Sequence, residues 1–521
     1  MIGPSPAPSR PAARAPAPPA PGPAAAMREP GPPLWPSWPA PGGPPSSRVL
    51  QATALAGLAG AVTLPGGDDD PGLGFLLAAL AVAAAVVVVG WRPHRAVGAV
   101  LPQWVAVAES LWLPAAVALA AVPLLRDADW LVVLCLLAAV GAGSLAMAGR
   151  AFRSVLRGAT AVPVAALRSP AWLGRSATGL RRTGGGFRLL AALLVGIGLL
   201  AVFAPLLGSA DPVFGRVLDA LVPTVDGDTL VSGVVRFVGG AAAVLGSAFL
   251  LARRPVPDMG PARPSRLRSA EWTLPVAMLV VLFALFVAVS LTTLFGSDDH
   301  VRATTGLTYA EYARSGFWQL LAVSVLTLVV VVAGARHAPL RTPADRFRTR
   351  LLLGGLSALT LVIVASALHR MWLYQQAYGF TVLRLLVLLC ELWLALCLAL
   401  MLVSVLRLRP DRPLRGMAAA GAAALLALAV LNPERFVAEQ DVARYAATGE
   451  IDVGYLSGLS ADAVPALVAL PEPIRSCVLA PIADRLGPAE AGGWRSTNVS
   501  RDRARDLLGG VRLSCPPGAR P

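Results

Sequence analysis

Thr308–Arg336 reads TYAEYARSGFWQLLAVSVLTLVVVVAGAR. Thr308 stands three residues before Glu311, the spacing of a capping box. In that motif the hydroxyl accepts from a first-turn N–H and the glutamate reaches back. Tyr309, Tyr312, Phe317 and Trp318 follow, and beyond Arg314 no charge appears until Arg336. An interfacial turn with an aromatic belt, running into an uninterrupted apolar stretch, predicts a membrane-spanning helix.

The same pattern recurs on both sides. Eleven apolar segments can be read at about 49–64, 72–90, 101–125, 130–148, 189–209, 229–252, 272–296, 317–335, 351–374, 380–406 and 416–431. A hydrocarbon core of ~30 Å takes ~20 helical residues, so the first and last segments are short. The loops between them alternate in charge. One set carries Arg92 and Arg95, then the arginines of 150–188, 253–268, 336–350 and 407–415. The other carries only Arg126, Arg216, Arg302 and Arg314, with acids such as Asp68, Asp69, Asp70, Asp211, Asp226, Asp298 and Asp299. The positive-inside rule makes the first set cytoplasmic. An odd number of spans then puts the N-terminus inside and the C-terminal region outside. The expected fold class is all-α: a polytopic membrane helix bundle with a small extracytoplasmic α-helical C-terminal region.

Composition agrees. Of 521 residues 56% are hydrophobic and 14% charged, against roughly 25% charged in soluble domains; mean hydropathy is +0.65. The net charge of +15 is accounted for by the arginine-rich loops. These would attract anionic lipid headgroups, so nucleic acid is not an expected partner. The chain contains no lysine; all 45 strongly basic residues are arginine. That excludes a Walker A lysine, a pyridoxal Schiff base and a Ser-x-x-Lys nucleophile. His-Glu-x-x-His, Cys-x-x-Cys and Gly-x-Ser-x-Gly are also absent, and no cofactor or metal is implied. Asp298, Asp299 and His300 are adjacent and cannot all face one ion, so they read as a solvated loop.

Three domains follow. Residues 1–47 are Pro/Ala/Gly-rich, cannot bury a core, and read as a disordered cytoplasmic tail. Residues 48–431 form the transmembrane domain. Residues 432–521 regain charge: Pro433 suits a helix start, Gly449 a stop, and Ser460 a cap for Ala461–Leu470. Segments 474–486 and 500–508 also read as helical. In the long loop 149–188, Arg153, Leu156, Arg157 and Val164 suggest an amphipathic segment on the inner leaflet. Cys135, Cys390 and Cys397 fall within spans. Cys477 and Cys515 share the outer region, where a disulfide is expected.

Charged residues at membrane depth are the functional pointers. Glu391 lies mid-span, with Arg384 seven residues earlier. His369, Arg370 and Tyr374 approach the same end, and Arg236 lies in the outer half of its span. With Glu311 and Arg314 they define a candidate outward-facing polar site. The arginines would favour an anionic group, with Glu391 as counter-ion or proton carrier. The alternative is that Glu391 pairs with an arginine to hold helices together.

SADPVF (209–214), TYAEYARSGFWQLL (308–321), RMWLYQQAYGFTVLR (370–384) and NPERFVAEQDVARY with YLSGLSADAVPAL (within 432–467) together resemble a bacterial multi-pass membrane family. It is catalogued as domain of unknown function 4173, and the resemblance runs from about Phe187 into the C-terminal tail. It implies an integral protein of the bacterial cytoplasmic membrane and supplies no catalytic residue, substrate or cofactor. The expected function is a non-enzymatic transporter-like protein or an envelope sensory or assembly component, with an unidentified envelope or membrane partner left open. The alternative is a membrane-embedded transferase acting on a lipid-linked substrate at the outer face. Asp68–Asp70, in a Gly/Pro turn, is similar to the acidic first outer loop of membrane glycosyltransferases.

Overall fold

A computed structural model describes residues 41–66, 69–90, 111–148, 155–174, 227–252, 269–294, 317–340, 342–408, 413–487, 493–510 and 512–515, with residues 3, 196, 207 and 211. The elements below all belong to one unit, Pro41–Pro521. Among the described residues every regular element is helical. In order they are α1 (Ser47–Thr63), α2 (Leu73–Gly90), α3 (Trp112–Ala120), its continuation α4 (Val122–Leu125), and α5 (Asp129–Ala148). The short α6 (Val155–Ala159) and α7 (Ala161–Arg168) precede α8 (Gly227–Ala252) and α9 (Ser269–Leu294). Next come α10 (Phe317–His337), α11 (Pro343–Tyr378), α12 (Val382–Leu406) and α13 (Pro413–Leu431). The C-terminal helices are α14 (Pro433–Thr448), α15 (Val453–Ser457), α16 (Val464–Leu467), α17 (Ile474–Leu486) and α18 (Val499–Leu508).

Among the described residues eight helices, α2, α5 and α8 to α13, are long and apolar enough to cross a bilayer. The chain is therefore a polytopic α-helical membrane bundle. Of the remaining expected spans, the first is the 17-residue α1, and 101–125 is represented by Trp112–Leu125. The span at 189–209, apart from residues 196 and 207, and the Thr308–Glu311 capping box lie outside the described residues. A capping box does open α11: Thr342 and Asp345 exchange side-chain-to-backbone bonds, with Pro343 at the first helical position. At 36 residues that helix is about 54 Å long and outruns the hydrocarbon core.

Packing is close where side chains are small. A Cβ on Gly240 of α8 would come within 2.3 Å of the Ala56 carbonyl oxygen of α1, so only glycine permits this crossing. Trp112, Leu119, Leu131 and Leu428 join α3, α5 and α13. Val331, Leu353, Cys397 and Met401 join α10, α11 and α12. On α9, Met278 is 66% and Val281 69% exposed, as expected of a face turned to lipid. Of the segment predicted to be amphipathic, Arg153 and the Leu156 side chain lie outside the described residues; Arg157 is exposed, Val164 half-buried, and Ala161 and Ala165 of α7 are fully buried. Trp172 meets Phe249 of α8 edge-on at 5.7 Å.

The C-terminal helices have their own core of Leu456, Val464, Leu467, Val478, Leu479, Ile482 and Ala504. Asn432, left-handed at φ 56°, caps α14 by accepting from the Arg435 N–H, and Gly449 at φ 77° ends it. The helix expected over Ala461–Leu470 is a 3₁₀ turn, Ala461–Ala463, followed by the four-residue α16. Cys477 and Cys515 form a disulfide with Cα atoms 4.7 Å apart.

Candidate functional site

The C-terminal helices cap one end of the bundle, and Asp462 is the centre of the junction. It is 2% exposed on the 3₁₀ turn that Ser460 caps. One carboxylate oxygen accepts from the backbone N–H groups of Asp127 at 2.8 Å and Ala128 at 3.0 Å, in the α4–α5 turn. The other accepts from Asn432 Nδ2 at 3.3 Å and from the Ser500 hydroxyl. Arg126 stands 3.8 Å away while its Nε donates to the Ala429 carbonyl at 2.6 Å, closing the C-terminal end of α13. Burial pushes the Asp462 carboxyl up, against the Ser500 and Asp127 donors and Arg126. An enclosed carboxylate is tolerated only with such a set of donors.

Three further residues complete the latch. Arg501, 4% exposed, donates to Asp127 at 2.7 Å, to the Pro71 carbonyl at 2.8 Å and to the Ser496 carbonyl at 2.6 Å. Asn498 donates to the carbonyls of Pro123 and Arg126 while its oxygen caps α18. Glu434 accepts from the Ser460 N–H at 2.6 Å and from the Trp130 indole at 3.2 Å. The α1–α2 and α4–α5 connections and the start of α14 are thereby tied to one cap.

The α11–α12 turn is held to the same cap. The Phe380 N–H donates to Asp441 of α14 at 3.3 Å, and the Val382 N–H to the Tyr455 hydroxyl at 2.7 Å. Phe380 meets Phe436 edge-on at 5.9 Å. Gly379 has φ 77° and ψ 176°; a Cβ there would lie 2.9 Å from an Arg444 nitrogen and 3.2 Å from Asp441. Arg384 donates to the Gly379 carbonyl at 2.7 Å and to the Tyr374 hydroxyl at 3.4 Å, its guanidinium 4.6 Å from that ring's centre. Burial pushes Asp441 up to about 6, while the Phe380 N–H, Arg444 and Arg384 draw it down and Asp452 adds to the rise. The result is an acid beside Arg384, Arg444 and Tyr455 at the end of two spans.

Of the residues predicted to form one outward site, the structure joins Tyr374 and Arg384. Arg370 is half-buried and His369 exposed one to two turns below. Arg236 belongs elsewhere: on α8 it donates to the Leu64 carbonyl at 2.7 Å and to Ser232, closing the end of α1. Glu311 and Arg314 lie outside the described residues. Glu391 is 1% exposed, and neither carboxylate oxygen has a hydrogen-bond partner among the described residues. Among the described residues the alternative, a pairing of Glu391 with an arginine, is not formed; Arg384 turns to Gly379 and Tyr374. Sequence reasoning missed Asp441, Asp462, Glu434 and Arg501. The only available signal was that the first three fall in 432–467, a segment that carries the resemblance. Among the described residues no cluster of three or more His, Cys, Asp or Glu side chains is placed to hold a metal ion.

No curated protein and no solved structure matches this chain. A family model does, over residues 113–470. The match begins well before Phe187, taking in most of α3 and all of α5, and stops short of Cys477 and Cys515. It is to an uncharacterised family, as the resemblance implied, but not to domain of unknown function 4173 specifically. The chain belongs to the family described as "Domain of unknown function (DUF4153)".

Proposed function

We propose that this protein is a non-enzymatic, transporter-like component of the bacterial cytoplasmic membrane, with its N-terminus in the cytoplasm and its C-terminal cap on the outer face. The arginine distribution supports that orientation. The observation that carries the function is Glu391, a carboxyl enclosed within α12 with no partner for either oxygen among the described residues. Such a group is costly in a span and marks an ion or proton pathway more readily than a helix contact. Arg384 and Tyr374, about two turns nearer the capped end, form the outer boundary of that path. The cap, latched to several inter-helix connections, is placed to hold or release this end as a unit.

The test is proton movement in vesicles. Purified protein is reconstituted with an entrapped pH-sensitive dye, and a pH gradient or membrane potential is imposed. The expected result is proton flux above that of empty vesicles, abolished by Glu391→Gln with insertion and abundance unchanged. Flux equal to empty vesicles, or equal flux in the variant, would sink this reading.

A further inference from the structure

A cavity of about 150 Å³ opens between α9, α10 and α11, lined by Phe286, Val287, Ser290, Leu320, Val362 and Ser366 among others. A dry apolar cavity of this size takes a small apolar group rather than water. It faces sideways: Phe286 is 41% and Val362 42% exposed, on helices long and apolar enough to span. Hydrocarbon is what surrounds such a face in a bilayer.

Ser366 gives the cavity its one anomalous polar atom. The other serines and threonines along α10 and α11 follow a common rule. Ser324, Thr327, Thr349, Ser357 and Thr360 each donate to the carbonyl four residues earlier, the usual way to satisfy a hydroxyl in a span. The Ser366 hydroxyl is buried and has no partner among the described residues. Its place in the cavity wall leaves that donor for something that enters.

Depth identifies what enters. Leu320 and Ser366 line the same cavity, and the N-terminal end of α10 and the C-terminal end of α11 point the same way. At a rise of about 1.5 Å per residue, Trp318 lies ~3 Å and Arg370 ~6 Å nearer that end. An exposed tryptophan and an arginine at one level mark a membrane–water interface; Trp318 is 60% exposed. Arg370 is four residues beyond Ser366, on the same helical face. The hydroxyl thus sits about one turn below the headgroup level, within reach of lipid ester carbonyls, and the apolar lining runs one turn deeper to Val362.

We propose that this groove binds one acyl chain of a bilayer phospholipid, with the Ser366 hydroxyl donating to its ester carbonyl. The assignment does not depend on how Glu391 is used.

The full chain is reconstituted in phosphatidylethanolamine/phosphatidylglycerol vesicles doped with a phospholipid carrying a diazirine on its acyl chain. After photolysis the adducts are mapped by peptide mass spectrometry. The lipid-facing Met278–Leu282 stretch of α9 is the internal reference. Adducts should be enriched several-fold at 286–290 and 362–366 over that reference, and lost when Ala365→Trp fills the groove. An ether-linked diazirine lipid, lacking the ester carbonyl, should label the groove less than the ester lipid. Ser366→Ala, which changes little else, should erase that ester-over-ether difference. Labelling no higher than the reference, or unchanged by Ala365→Trp, would overturn the site. An ester-over-ether difference that is absent, or that survives in Ser366→Ala, would overturn the role given to the hydroxyl.

Discussion

Asp462 accepts from backbone groups 334 and 335 residues earlier in the chain, so this one side chain carries several of the bonds that hold the cap on the bundle, beside those of Arg501, Asn498 and Glu434. Asp462→Ala would leave Arg126, two N–H groups, Asn432 and Ser500 without their shared acceptor. Removing one partner from such a buried charged set costs about 3–5 kcal/mol. The expected outcome is a lower melting temperature in detergent and new tryptic cuts in the cap with the bundle intact; an unchanged melt and digest would refute the latch. Asp441 adds a pH dependence. Its carboxyl stands at about 6 against an ordinary 3.8, so the docked turn binds a proton more tightly than the released one. The contact should therefore strengthen as pH falls through about 6 toward 4 and weaken above that window. Asp441→Asn should remove this part of the slope in thermal melts from pH 7.5 to 5. Glu434 and Asp462, both also raised by burial, contribute to the part that remains.

At the scale of elements, what could be read from sequence was local. Continuous apolar runs marked the spans. Pro433 and Gly449 bounded α14, because a missing N–H at the first turn and a left-handed residue after the last are local requirements. Partnership was not legible. Arg384 and Glu391 share a helix seven residues apart, and nothing in that spacing reveals that the guanidinium turns back to Gly379 and Tyr374. Arg236 likewise closes α1, some 170 residues away, a contact with no sequence signature. The Cys477–Cys515 bond links positions 38 apart, joining α17 to the segment after α18. On the loop-entropy account its removal costs about 3–4 kcal/mol. Cys515→Ser should accordingly loosen the cap, seen as faster amide exchange at Val478 and Leu479, with exchange in α11 and α12 unaltered.

At the scale of the whole molecule, a membrane bundle carries a helical cap latched to several connections, and a buried carboxyl with no partner among the described residues lies within a span beneath it. The transporter-like reading requires water to reach that carboxyl at least transiently from the capped face, although Glu391 is 1% exposed in this state. The direct measurement is labelling of Glu391→Cys, with Cys135, Cys390 and Cys397 replaced by alanine and the disulfide kept. A membrane-impermeant maleimide is applied from the capped side of reconstituted vesicles. The account predicts slow but complete labelling of the folded protein. Denatured protein that labels fully beside native protein that never does would contradict it, and Glu391 would then be a dry helix contact.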